Sequence, residues 1–112
     1  MGRKKLIETP KKMYELFEKY KKHVKDNPRQ VSEFHGRDGE ERRKPLERPL
    51  TFAGFDIFVM NLEGIESRGV EQYFTNQDKL YGDYIGICSR IKKEIRDDQI
   101  TGGVVGQYNA SI

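Results

Sequence analysis

The chain has 112 residues, 35% of them hydrophobic and 35% charged, with a formal net charge of +3. That length suits one domain with a modest core. A single cysteine, Cys88, excludes an internal disulfide and a cysteine-built zinc site. No apolar run approaches a membrane span, and the opening MGRKKLIETP lacks the apolar core of a signal peptide, so a soluble chain in a reducing cytoplasm is expected. The charge is uneven: residues 1–48 carry 15 Lys/Arg against 9 Asp/Glu, residues 49–112 carry 6 against 9. A polyanionic partner for the first half fits this asymmetry; so does a solvated, lysine-rich helix face.

In chain order, residues 1–8 are expected to form a basic flexible tail that includes Lys4 and Lys5. A helix follows over 9–27. Thr9 can cap it, Pro10 suits its first position, and Pro28 lies just beyond its end. Met13, Leu16, Phe17, Tyr20 and Val24 share one face at helical spacing, and Lys11, Lys12, Lys19, Lys21, Lys22 and Lys25 make the other face basic. Residues 29–48, RQVSEFHGRDGEERRKPLER, read as a β-hairpin or extended arm turning at Gly36-Arg37-Asp38-Gly39. Its tip carries Arg37, Arg42, Arg43 and Lys44.

Three helical stretches come next, at 51–63, 70–76 and 81–101. Thr51 caps the first and Gly64 ends it, with Phe52, Phe55, Phe58, Val59 and Leu62 inward. Its internal Gly54 weakens the helix, which predicts close approach by a neighbouring helix. The second turns Val70, Tyr73 and Phe74 inward. In the third, Tyr84, Ile85, Cys88, Ile91 and Ile95 form the buried stripe, which makes Cys88 a small core residue. The fold class is therefore mainly α: a helical bundle with a helix-turn-helix-like unit and an arm.

A dozen-residue helix, a glycine-containing turn and a short second helix are the outline of a helix-turn-helix, and of many ordinary bundles too. In the DNA-binding geometry the second helix enters the major groove. It would present Arg68, Glu71, Gln72 and Asn76, with Lys79 just beyond. Arg and Lys suit phosphate or guanine, and Gln and Asn suit adenine. Catalytic chemistry is not signalled. Glu94 and Asp98 lie four apart and could share a divalent cation, but Arg90, Lys92, Lys93 and Arg96 interleave with them, so ion pairs along the helix are the ordinary explanation. His23 and His35 have no accompanying ligand or nucleophile pattern. Gly102-Gly103 follows a helix, where a phosphate-binding loop follows a strand.

The sequence of elements, from TPKKMYELFEKYKKHVKDNP through the hairpin, RPLTFAGFDIFV, the short helix with YF, and IKKEIRDDQITGGVVGQYNASI, resembles the small terminase subunit of tailed double-stranded DNA phages. The resemblance covers residues 9–112. It implies a largely helical, non-enzymatic DNA-packaging protein without cofactor or metal. Such a protein recognises viral double-stranded DNA, assembles as a homo-oligomeric ring of about eight to twelve subunits, and delivers DNA to the large terminase subunit, which holds the ATPase and nuclease. It also implies that Asn109 caps a further helix that is cut short after Ile112, and that Gly102, Gly103 and Gly106 are close-packing positions near a helix bend. The family fixes no individual DNA contact. On electrostatic grounds Lys4, Lys5, Lys21, Lys22, Arg42, Arg43, Arg68, Gln72, Asn76 and Lys79 are the candidate DNA-binding residues. A helix-turn-helix transcriptional regulator, acting as a dimer, is the alternative.

Overall fold

The computed structural model describes residues 5–35, 39–66 and 68–104. The architecture is mainly helical: α1 (Pro10–Asp26), a hairpin of β1 (Arg29–His35) and β2 (Glu40–Leu46), α2 (Phe52–Glu63), a single-turn α3 (Glu71–Phe74), and α4 (Ile85–Val104). Lys4, the Gly36–Asp38 part of the hairpin turn, Gly106 and Asn109 lie outside the described residues.

The local signals for α1 act as the sequence implies. Thr9 Oγ1 accepts from Lys12 N at 3.1 Å, Pro10 opens the helix, and Met13, Leu16, Phe17, Tyr20 and Val24 are buried. Within the stretch 29–48, β1 and β2 pair as the two arms of a hairpin. Its strands run antiparallel, Arg29 opposite Leu46 through His35 opposite Glu40, and Gly39 takes a left-handed φ of 62° that glycine tolerates without strain.

Helix α2 begins at Thr51, whose Oγ1 accepts from Gly54 N at 2.9 Å, and ends at the left-handed Gly64. The close approach expected at Gly54 is present and comes from α1: a Cβ there would collide with the Tyr20 hydroxyl and Thr51 Oγ1. That hydroxyl accepts from Thr51 N at 3.1 Å, which ties α1 to the start of α2. Phe55 and Val59 are buried, but Leu62 is 51% exposed, a correction to its inward assignment. It sits in the last turn, where the chain leaves the core towards Gly64.

Three further elements depart from expectation. The helix expected over 70–76 is one turn long, because Asn76, Asp78 and Lys79 take left-handed φ values of 50°, 56° and 58° and break it. A 3-10 turn at Gly82–Tyr84 precedes α4 and offsets its first residue, so Ile85 is 58% exposed while Tyr84, Cys88, Ile91 and Ile95 are buried as expected. At its other end α4 runs through Gly102-Gly103 without interruption. Gly102 is buried, but a Cβ at Gly103 would meet nothing within 4 Å, so Gly103 is not a close-packing position.

The core is one cluster shared by α1, α2, α3 and α4, and edge-to-face contacts such as Phe17–Phe55, centroids 5.3 Å apart, organise its aromatic part. The described residues before α1, 5–9, belong to this core and are not part of a free tail. Ile7 is fully buried; its N–H donates to the Tyr73 hydroxyl at 2.8 Å, and its carbonyl accepts from the Tyr84 hydroxyl at 2.6 Å. Two buried phenols thus satisfy the backbone of one strap residue, and burial raises both phenol pKa values.

Candidate nucleic-acid interface

Helices α1 and α4 face one another through charged groups. Glu94 accepts from Lys21 Nζ at 2.9 Å, from the Tyr14 hydroxyl at 2.8 Å, and from Arg90 Nε at 3.2 Å. Burial pushes the Glu94 carboxyl up, but the bonds from Lys21 and Tyr14 and the Lys21 charge outweigh this and leave it below its ordinary value. On Lys21 burial works downward, and the Glu94 hydrogen bond and charge leave the ammonium above its ordinary value. One turn further along α4, Asp98 accepts from Lys25 Nζ at 2.7 Å and from Leu50 N at 2.8 Å. Lys25 also reaches Glu47 at 3.1 Å and the Arg48 carbonyl at 2.9 Å. The carboxylates that could have shared a cation are therefore each held by a lysine of α1. Among the described residues, no cluster of three or more His, Cys, Asp and Glu is arranged to hold a metal.

This seam corrects the basic-face reading of α1. Lys21 and Lys25 belong to the interior edge, with side chains 31% and 28% exposed, and their charges are matched by α4. The others on that face, Lys11, Lys12, Lys19 and Lys22, are exposed, but Glu15, Glu18 and Asp26 are interspersed, and Lys22 pairs with Asp26 at 2.7 Å.

The remaining sequence-predicted residues separate into groups. Lys5 donates to the Leu80 carbonyl at 2.9 Å and lies over the rings of Tyr81 and Tyr84, so it clips the strap to the loop before α4. Arg42 stands opposite Glu33 in the hairpin register and Arg43 opposite Ser32, distant in sequence and element from the α3 region. Arg68 and Gln72 do come together: with Glu71, Thr75 and Gln77 they line an open polar notch of about 260 Å³. Asn76 does not join them as a reading side chain. Its Oδ1 accepts from Tyr81 N at 2.7 Å and closes the loop internally. Lys79 is exposed on the same left-handed loop.

The turn between α2 and α3 has its own device. Asp56 Oδ1 accepts from Val70 N at 2.6 Å, and a Cβ at the buried Gly69 would strike the Asp56 carboxylate and carbonyl. Gly69 is required by this close approach, a role that a lone glycine before a short helix could only hint at. Cys88 lies in the core stripe with its thiol pushed up to about 11 by burial, partly offset by Lys92, which keeps it a protonated apolar residue.

The interleaved cations of α4 behave otherwise than their spacing suggests. Arg90 makes the expected pair with Glu94, but Lys93 and Arg96 are exposed and no ion pair to either forms among the described residues. No described helix is long and apolar enough to cross a membrane. No protein-family model and no curated protein matches the sequence.

Proposed function

We propose that this chain is a small terminase subunit of phage type: a non-enzymatic, oligomeric adaptor that binds viral double-stranded DNA in the host cytoplasm and delivers it to a large terminase subunit for packaging. The observation that carries this reading is the order of elements: a capped first helix, a hairpin, a second helix, a one-turn helix and a long closing helix, the order on which the sequence resemblance rests. The helical architecture and the exposed Lys93 and Arg96, which form no ion pair among the described residues, support an adaptor that works by binding. A dimeric helix-turn-helix regulator ranks second, because a four-residue α3 whose Tyr73 is buried offers little length to enter a groove.

The test is mass in solution combined with DNA retardation. Light scattering is expected to give a ring of about eight to twelve copies of the 13.1 kDa chain, and retardation of duplex DNA is expected to weaken steeply with salt as counterions are released. A dimer that protects two half-sites about one helical turn apart would favour the regulator. Failure to retard DNA even at low salt would remove both readings.

A further inference from the structure

Helix α4 spans 20 residues, about 30 Å at the α-helical rise, and its two sides are unlike. Cys88, Ile91, Ile95 and Gly102 face the core, and Glu94 and Asp98 face the lysines of α1. On the opposite side Gly86, Ser89, Lys93, Arg96, Ile100 and Gly103 are all exposed. Ser89, Lys93, Arg96, Ile100 and Gly103 follow one another at steps of four and three, and so form a single line along the helix. The line is open at both ends, since a Cβ added at Gly86 or at Gly103 would meet nothing within 4 Å.

We infer that this outer arc of α4, centred on Lys93 and Arg96, engages the phosphate backbone of duplex DNA; the inference rests on the DNA-binding reading above and names its surface. Charge complementarity selects the partner. Lys93 and Arg96 stand three positions apart on one side of the helix without an ion pair among the described residues, Lys92 joins them at the edge over the Phe74 ring, and Asp97 is the one acidic residue exposed on α4. Ser89 beside Lys93, and Gly86 and Gly103 towards the two ends of the arc, keep those parts of the surface low, so a phosphate chain can approach the helix there. Other basic regions fit less well. The outer face of α1 alternates its lysines with Glu15, Glu18 and Asp26, and the α3 notch sets Arg68 beside Glu71. Ile85 and Ile100 are exposed singly, about 22 Å apart along the helix, and isolated exposed apolar residues need no partner.

The experiment titrates the full chain onto a labelled, mixed-sequence duplex at a series of salt concentrations. It compares wild type, K93Q/R96Q, and the charge-matched control K11Q/K19Q, with circular dichroism to show that all three are folded. Each phosphate contact contributes about 0.9 to the slope of log affinity against log salt, so K93Q/R96Q is expected to lower the slope by about 2 and the low-salt affinity by about tenfold. The control is expected to move both much less, and Lys93→Arg with Arg96→Lys is expected to retain binding. If wild type binds but K93Q/R96Q behaves like the control, the α4 assignment fails while DNA binding stands. If the double variant changes the mass in solution and leaves DNA affinity intact, the arc is a contact between copies and the assignment is again overturned. If wild type does not bind at low salt, the inference falls together with the reading beneath it.

Discussion

The seam between α1 and α4 and the outer arc of α4 are made of the same residue types, yet they do different work. In the seam, Lys21, Glu94, Lys25 and Asp98 are partly screened from water and bonded to one another at 2.7 to 2.9 Å. On the arc, Lys93 and Arg96 stand in water and no described carboxylate reaches them. Three residues, less than one turn of helix, separate Lys93 from Arg96, and Glu94 lies between them facing the other way. Position relative to the neighbouring helix, not composition, decides whether a charge helps hold the fold or is free to meet a partner. Exposed charges add little to stability, whereas a hydrogen-bonded, partly buried pair loses more when one partner is removed.

The sharpest way to break the seam is beneath its charges. Phe17 is fully buried, packs edge-on against Phe55, and carries Lys21 Nζ 5.3 Å above its ring. Phe17→Ala is expected to destabilise the protein by about 3–5 kcal/mol through the cavity it leaves, measured by urea or thermal unfolding. A loss under about 1 kcal/mol would mean that the bundle repacks at no cost and that the aromatic core does not carry the seam.

Glu94→Ala removes the acceptor of three donors, and about 1–2 kcal/mol is expected after allowance for solvent screening of a side chain 28% exposed. The same carboxylate gives a pH signature. Its folded pKa lies below the ordinary glutamate value of about 4.3, so its contribution is complete above that value and is lost as pH falls through the lower folded one. Glu94→Gln is therefore expected to have a shallower acid limb than wild type in thermal unfolding against pH, and identical limbs would show that the pairing is not felt in solution. Lys21, raised above its ordinary value, gives the reverse dependence, present below about 10.4 and lost as pH rises through its folded pKa.

Asp98→Asn keeps one acceptor but loses the charge facing Lys25, so about 1 kcal/mol is expected. Because Asp98 also binds the backbone of Leu50, amide hydrogen exchange at residue 50 is expected to speed up in this variant. Unchanged exchange there would show that the hairpin's return into α2 is not fastened by α4.

The smallest stability effect belongs to the arc. K93Q/R96Q is expected to stay within about 0.5 kcal/mol of wild type, as surface substitutions generally do. A loss above about 1 kcal/mol would reveal a structural partner for these cations and erase the contrast with the seam.

Much of the fold was legible because its signals are local. Thr9 and Thr51 cap the helices they precede, Pro10 and Gly64 mark a start and a stop, and the five apolar residues of α1 fall on one face by periodicity alone. The glycine-bounded turn between two extended runs announced the hairpin. Less was legible where one local signal overrode another. Val70, Tyr73 and Phe74 at helical spacing promised a longer helix, but the left-handed residues Asn76, Asp78 and Lys79 end it, and the 3-10 turn before α4 shifts Ile85 out of the stripe.

The candidate interface was the least legible part. Helical spacing placed Lys21 and Lys25 on a basic face and paired Lys93 with its own helix, since a sequence displays neighbours three and four apart and nothing else. Glu94 and Asp98 are each 73 residues from the lysine that holds them, and Ile7 lies 66 from Tyr73. Capping, periodicity and turn chemistry thus determined which segments become helices and which become strands, because those effects act within a few residues. Which charges are neutralised and which remain exposed was decided only in the tertiary structure. Coulomb energy and desolvation depend on distance through space, and the packing of α1 on α4 sets that distance.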